Sequence, residues 1–316
     1  MTDLKFVEPG HIPSEFLVYD KKVDQLDVGK TGKVGYLRIK LEKDSKKNKT
    51  VVTDQYSQVP LYTQRALYYD EFLPAMANLF IMSPSGGILQ GDRYRMDITL
   101  TNQAVCHITT QGATRIYKMN SNYATQLINI TAKKGCYLEF VPDQLIPYQN
   151  SRYYQKVELN IEDSATLVYS EILTPGRAAM GEFFSYDTCY LKTICSDDKK
   201  IKFIDNFLLE PKKQKITTLG IFGNHTVLAS IYIISKDNSI LQIKEKINLT
   251  LQNNAEVNGG CSMLPYDSGL VVRLLGNSSE EIKTTIYDVI RIVTVSYTHL
   301  RAHETSLHLV CRLLLE

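Results

Sequence analysis

The sequence predicts a mostly β protein, with strands stacked in a β-helix-like body and about two helices, one near the C-terminus. Three observations carry this. Short segments such as "YLRIKLEK", "RMDITLTN", "QKVELNIED", "ATLVYSEI" and "KIKFIDN" alternate apolar and polar residues, which is the pattern of half-buried strands. The alternation then repeats as a larger unit between Met96 and Tyr169. "MDITLTNQAVCHITT", "QLINITAKKGCYLEF" and "VELNIEDSATLVYSE" each hold a strand, a polar turn ending in Ala or Gly, and a second strand. Aligning Ile98, Ile128 and Leu159 gives offsets of 30 and 31 residues. A period of that size fits a stack in which each unit buries a face against its neighbours. A plain meander of evenly sized hairpins fits it as well, and both are β. Thirdly, helical periodicity is scarce.

Along the chain, residues 1–30 are largely polar and carry Pro9, Gly10 and Pro13, so they form a separate N-terminal segment. Residues 31–295 read as a single β domain. The lysine-rich "KDSKKNKT" is a solvated hairpin loop between its first strands. One helix is expected at Thr63–Leu79 and the other at Ser278–Val293. In the second, Ser278 or Ser279 caps, Glu280 and Glu281 suit the first turn, and Ile282, Ile286, Val289, Ile290 and Val293 form an apolar stripe. Residues 296–316, "SYTHLRAHETSLHLVCRLLLE", resemble a translated sequencing-adapter sequence and are read as a non-native tail. The histidines in it therefore carry no metal site. His299 and His303 also lack the Glu of an HExxH motif.

Composition narrows the function. The 316 residues include 36 basic and 34 acidic side chains, a net charge of +2, which gives no electrostatic case for nucleic acid or an anionic membrane. The six cysteines are scattered with no CxxC pair, and the first residues lack a basic region followed by an apolar run. Both point to a reducing cytoplasm. No window approaches the ~18 apolar residues that cross a bilayer.

The motifs exclude more than they reveal. In "SPSGGILQGD", Gly86 and Gly91 have the spacing of a phosphate-binding loop, but Asp92 and Arg93 stand where that motif needs Lys and Ser or Thr. A carboxylate there would repel phosphate. No GxSxG occurs, and a lone His107 inside a strand is more often a satisfied core residue than a base. A glycoside-cleaving pair drawn from Asp92, Glu171 and Glu182 is the alternative, a β-solenoid carbohydrate-active enzyme. It would need its carboxylates ~5–9 Å apart across a saccharide groove. Such grooves usually carry exposed aromatic platforms, and the chain has no Trp.

What stands out is a series of polar, mostly glycine-bearing segments that each end a strand. Gly86, Gly87, Gly91 and Asp92 come first, then Thr109, Thr110, Gln111, Ala113 and Tyr117. Leu138, Glu139, Pro142, Ile146 and Pro147 follow, and then Gly176, Arg177, Gly181 and Glu182. In this order they resemble the urease accessory protein UreD (UreH) family over roughly Val34 to Val293. "VPLYTQRALYYDE" and "DSGLVVRLLG" also look like family segments. The chain departs from the family's pattern at Ser85, Arg115 and Tyr148, which replace Pro, Lys and Phe, and in its final residues.

The resemblance implies a scaffold rather than an enzyme, built as a β-helix-like stack. It implies binding to urease apoprotein, to a UreF-like accessory protein and, through that, to a nickel-carrying UreG-like GTPase. It implies no tightly bound cofactor, with nickel in transit through a water-filled passage in the body. Asp92, at its glycine turn, is then expected to line that passage. Asp205, in "KFIDNFLLE", matches a position where the family carries an acid and is the second candidate. Glu182 is the third, with pairing to Arg177 as its competing role.

Overall fold

The computed structural model describes residues 4–21, 32–71, 73–197 and 200–313, with side chains described as far as residue 297. The chain enters through two one-turn helices, α1 (Leu4–Val7) and α2 (Ser14–Leu17), and then forms a hairpin from β1 (Val34–Asp44) and β2 (Lys49–Gln58). The short β3 (Tyr62–Thr63) leads to β4 (Ala77–Met82). Next come β5 (Arg93–Thr101), β6 (Val105–Thr110), the short β7 (Thr114–Ile116), β8 (Ala124–Ala132) and β9 (Tyr137–Val141). The short β10 (Leu145–Pro147), β11 (Arg152–Ile161), β12 (Thr166–Leu173), β13 (Thr188–Asp197) and β14 (Lys200–Leu209) follow. The last part holds β15 (Val227–Ile234), α3 (Ile240–Gln252), β16 (Asn258–Met263), β17 (Gly269–Gly276) and α4 (Ser279–Leu313).

From β4 to β13 the long strands fall alternately into two sheets. One has seven strands in the order β14-β13-β11-β8-β5-β1-β2; the other runs β16-β17-β15-β12-β9-β6-β4-β3, with β7 and β10 attached beside β12. Within each sheet the repeat strands pair in parallel, β5 with β8 and β8 with β11 in the first, β6 with β9 and β9 with β12 in the second. Each repeat is thus one coil of a stack. The coils are closed by antiparallel strands, β2 on β1 at one side and β14 on β13 at the other.

Register follows from the alternation. Ile39, Ile98, Ile130, Leu159, Cys195 and Phe203 are opposite one another across six strands, all buried between the sheets. The ladder joins Ile98 to Ile130, two residues along from the Ile128 of the sequence alignment. A slip of two residues keeps the same face inward, so the repeat is read correctly although its rungs are not.

The two long helices, α3 and α4, lie against the second sheet. The residues of β12, β15 and β17 that face away from the first sheet, Val168, Ile172, Ile231, Ile233, Val272 and Leu274, pack with Ile243, Ile247 and Leu251 of α3 and with Ile282, Ile286, Val289 and Ile290 of α4. The expected helix at Ser278–Val293 is therefore present as the start of α4. The one expected at Thr63–Leu79 is not. Thr63 ends β3, Ala77–Leu79 begins β4, and Leu67 and Asn78 exchange backbone hydrogen bonds of 2.9 and 2.8 Å between them. Pro74 lacks the N–H a helix interior requires, and the Asp70 carboxylate takes the Leu73 N–H at 2.7 Å. The missed helix is α3, whose "IKEKINLTL" alternates like a strand, while its buried Ile240, Ile243, Ile247 and Leu251 recur at helical spacing.

The N-terminal residues that are described pack on the outer face of the first sheet. Phe16 inserts between Tyr123 and Tyr154, with ring centroids 5.4 and 5.8 Å away, and Glu8 meets Arg93 at 2.8 Å. The C-terminal tail expectation rests on side chains beyond residue 297, which lie outside the described residues. Among the described residues no helix is long and apolar enough to cross a membrane.

Candidate functional site

The two ends of the stack differ. At one end the coils turn in three or four residues; at the other, the connections run from 83 to 92, 111 to 123, 142 to 151 and 174 to 187. Leu138 and Glu139, in β9, and Asp205, in β14, lie elsewhere, but the glycine-bearing motifs sit at this second end. Their side chains stack coil upon coil: Tyr117 and Tyr148 rings are 4.9 Å apart, and the Arg177 guanidinium lies 4.3 Å from the Tyr148 centroid. Gly87 is needed because a Cβ there would come within 2.5 Å of the Arg115 carbonyl and of the Tyr117 ring. Gly176, at φ 128°, would bring one within 2.9 Å of the Pro147 carbonyl. The hydroxyls of Thr109 and Thr110 bond the Val141 and Gly112 carbonyls at 2.7 and 3.0 Å, and the Gln111 N–H reaches the Ile81 carbonyl at 2.9 Å. Gly86, Gly91 and Gly181 take positive φ. The motifs form the turn architecture of the coil ends.

Between the sheets, below these turns, lies a cavity of about 350 Å³. Ser83, Gly86, Gln111, Gly112 and Arg115 line its outer part, while Gln126, Gln155 and Glu171 reach its depth. These last three occupy inward positions of otherwise apolar strands. In the first sheet, Tyr94, Gln126 and Gln155 are consecutive register partners; in the second, Glu171, Ser230 and Arg273 are. A polar band thus crosses the apolar interior at one level.

The band is continuous by hydrogen bonds. The Tyr153 hydroxyl bridges Gln126 and Gln155 at 2.8 and 3.1 Å. Gln155 Nε2 lies 3.3 Å from the Tyr169 hydroxyl and 3.4 Å from Glu171, and Tyr169 donates to Glu171 at 3.0 Å. The Tyr232 hydroxyl then stands between two carboxylates, 3.5 Å from Glu171 and 2.6 Å from Asp205. Asp205 pairs with Arg273, which also bonds Ser230. Glu171 is 6% exposed and Tyr232 1%, whereas Asp205 and Arg273 are partly open, so the chain leads from the cavity to the β14–β17 side of the body. Burial pushes the Glu171 carboxyl up to about 7; Asp205 adds to the rise, while the Tyr169 and Tyr232 hydroxyls and the charge of Arg273 oppose it.

The three carboxylates singled out by sequence have separate surroundings. Asp205 belongs to the band. Asp92 is fully buried, and its carboxylate takes the backbone N–H of Leu89 at 2.8 Å and of Lys33 at 2.9 Å, the Tyr94 hydroxyl at 3.0 Å, and the Lys33 ammonium at 3.2 Å. Burial raises its pKa against the pull of those donors. The cavity wall includes Tyr94 but not Asp92, so Asp92 stands one hydroxyl behind it. Glu182 is in the fourth turn, held by the Arg177 guanidinium, which with the Gln149 N–H lowers its pKa. Asp92 and Glu182 are thus both engaged by protein donors, unlike a catalytic carboxyl pair facing a saccharide groove. Among the described residues, no three His, Cys, Asp or Glu side chains are grouped closely enough to hold a metal ion.

Sequence reasoning missed Gln126, Gln155, Tyr169, Tyr232 and Arg273. A signal existed: in "TLVYSEIL", Glu171 shares parity with the buried Leu167, Tyr169 and Leu173. Asp205 likewise lies between the inward Phe203 and Phe207. A charge at an inward position of a buried strand marks a polar interior.

Comparison with known proteins bears on this architecture. The profile of the family described as "UreD urease accessory protein" matches residues 33–308. The chain is 44% identical over 259 residues to "Urease accessory protein UreD" of Cenarchaeum symbiosum (strain A), covering 82% of this chain and 90% of that protein. It is 35% identical over 275 residues to "Urease accessory protein UreD 2" of Brucella canis, covering 86% and 90%. Against "Urease accessory protein UreD" of Photorhabdus laumondii it is 34% identical over 275 residues, covering 86% and 85%. With its stacked coils, its glycine-built turns and these matches over most of its length, the chain belongs to the UreD urease accessory protein family.

Proposed function

We propose that this protein acts in urease maturation as a non-enzymatic scaffold that binds urease apoprotein. With a UreF-like protein and a nickel-carrying UreG-like GTPase, it passes nickel through its interior toward the urease active site. Family membership supports the maturation role. The polar band that links the cavity to Asp205 supports the passage.

The chemistry of the band suits a transported ion. Conduction requires sites attractive enough to admit a cation and weak enough to release it. Gln126, Gln155, Glu171, Tyr232 and Asp205 offer oxygen donors in sequence, with no thiolate or imidazole among them. Such donors hold Ni²⁺ far less firmly than a cage of Cys or His. In this reading Glu171 and Asp205 are the passage carboxylates, Asp92 fixes the wall through Tyr94, and Glu182 braces the turns. A cytoplasmic setting belongs to the same reading and agrees with the buried free thiols of Cys106, Cys189, Cys195 and Cys261.

The test is co-expression with urease and its accessory proteins, carrying Glu171→Gln or Asp205→Asn. Urease specific activity and nickel content are expected to fall several-fold while pull-down of urease apoprotein persists. Unchanged activity in both variants would remove the band from the path.

A further inference from the structure

The outer end of the polar band is not open: a protein cation already occupies it. Arg273 projects from β17 into the gap between the sheets, where its guanidinium contacts the Asp205 carboxylate and the Ser230 hydroxyl. Its Cζ lies 5.7 Å from the centroid of Tyr232, whose hydroxyl touches both carboxylates of the band. The register explains the crowding. Glu171, Ser230 and Arg273 are adjacent rungs of one sheet, and Asp205 comes from the facing edge of the other. Arg273 is thus the charge that neutralises this end of an otherwise anionic site. It is also 39% exposed, so it has somewhere to go.

We propose that Arg273 is a resident counter-cation that competes with a divalent metal ion for Asp205, so that the outer end of the band is a cation-exchange site that fills only when Arg273 swings out. The proposal rests on the passage reading above and adds how that passage is closed. A dication entering between Asp205 and Glu171 would find two carboxyls within reach of one hydroxyl, an all-oxygen set. While Arg273 is bound, the same ion meets a neutralised Asp205 and a fixed positive charge. A monovalent ion gains too little from Asp205 alone to displace a forked, hydrogen-bonded guanidinium. An acidic segment on a partner protein is the natural means of drawing Arg273 outward, because its exposed side offers the guanidinium a second carboxylate.

Competition predicts that removing the competitor strengthens binding. Equilibrium dialysis of the purified full chain against NiCl₂ is the direct measurement. Arg273→Met is expected to tighten Ni²⁺ binding about tenfold, the scale of losing one close charge pair. The double variant Asp205→Asn with Arg273→Met should lose that gain, which separates this site from surface histidines. Arg273→Lys keeps the charge without the fork and should give a smaller gain; it also serves if the Met variant does not fold by circular dichroism. No gain in either variant, or a gain that survives Asp205→Asn, overturns the proposal. Dialysis needs no urease, so its outcome is independent of whether Glu171→Gln impairs activation; a passage that fails that assay leaves the competition at Asp205 still measurable.

Discussion

Two buried carboxylates of the same body have opposite surroundings. Asp92, at the head of β5, has an ammonium, two backbone N–H groups and a hydroxyl, and every one of them belongs to the junction between the first glycine turn and the stack. Glu171, in the middle of β12, has two tyrosine hydroxyls and one amide, faces a cavity, and makes no ion pair of its own. The first carboxylate has its charge matched and its lone pairs filled, so it works as a joint. The second has charge to spare and space beside it, so it can receive something. Sequence ranked Asp92 ahead because its glycine setting is conspicuous; the structure shows that conspicuous turn chemistry and an available carboxylate are separate properties.

Variants can sharpen that contrast. The largest effect is expected for Asp92→Ala, which strands the Lys33 ammonium at 3% exposure and frees two N–H groups, a loss of ~3–5 kcal/mol. Thermal unfolding should show a Tm lower by many degrees, or the chain should become insoluble. A stable Asp92→Ala variant with impaired nickel transfer would instead move Asp92 into the passage.

Glu171 should behave in the reverse sense. Its folded-state pKa is raised from 4.5 to about 7, so the protonated carboxyl is favoured by folding. That contribution is fully present below about 4.5 and lost as pH rises through about 7. Glu171→Gln should therefore have the same Tm as the parent near pH 4.5 and a higher one at pH 8, by an upper bound on the order of 3 kcal/mol. A Tm gap that closes at pH 8 would mean the carboxylate is matched after all.

Next in size is Gly87→Ala, whose methyl would meet the Arg115 carbonyl and the Tyr117 ring; overpacking of this kind costs ~1–3 kcal/mol and should lower Tm without changing its pH dependence. The smallest is Glu182→Gln, since Arg177 is partly open to solvent and such pairs contribute little. Its Tm should scarcely move, and a marked fall in urease activation would show that the turn end touches a partner.

Much of this fold was legible in the chain. Alternation located the strands, and the three-fold unit from Met96 to Tyr169 located the coils, because inward and outward positions are set locally by strand geometry. Where local signals conflict, reading failed. The strand-like alternation of Ile, Leu and Thr in "IKEKINLTL" hid α3, and the apolar spacing from Thr63 to Leu79 hid an irregular crossing with Pro74 in its middle. The site was legible only by halves. Asp205 and Glu171 both reveal themselves as acids at inward positions, but nothing local says that they share Tyr232. That meeting depends on how one sheet is placed over the other, and side chains far apart in sequence decide it.

The stacking of the coils has a consequence for distance. The band runs across the strands, so each strand it crosses contributes one rung, the coil strands β5, β8 and β11 among them, and neighbouring rungs are ~4.8 Å apart. A relative with one coil more or fewer would have a band one such step longer or shorter, with every other rung unchanged. Reach in such a body is set in whole increments, by counting repeats rather than by remodelling any one of them.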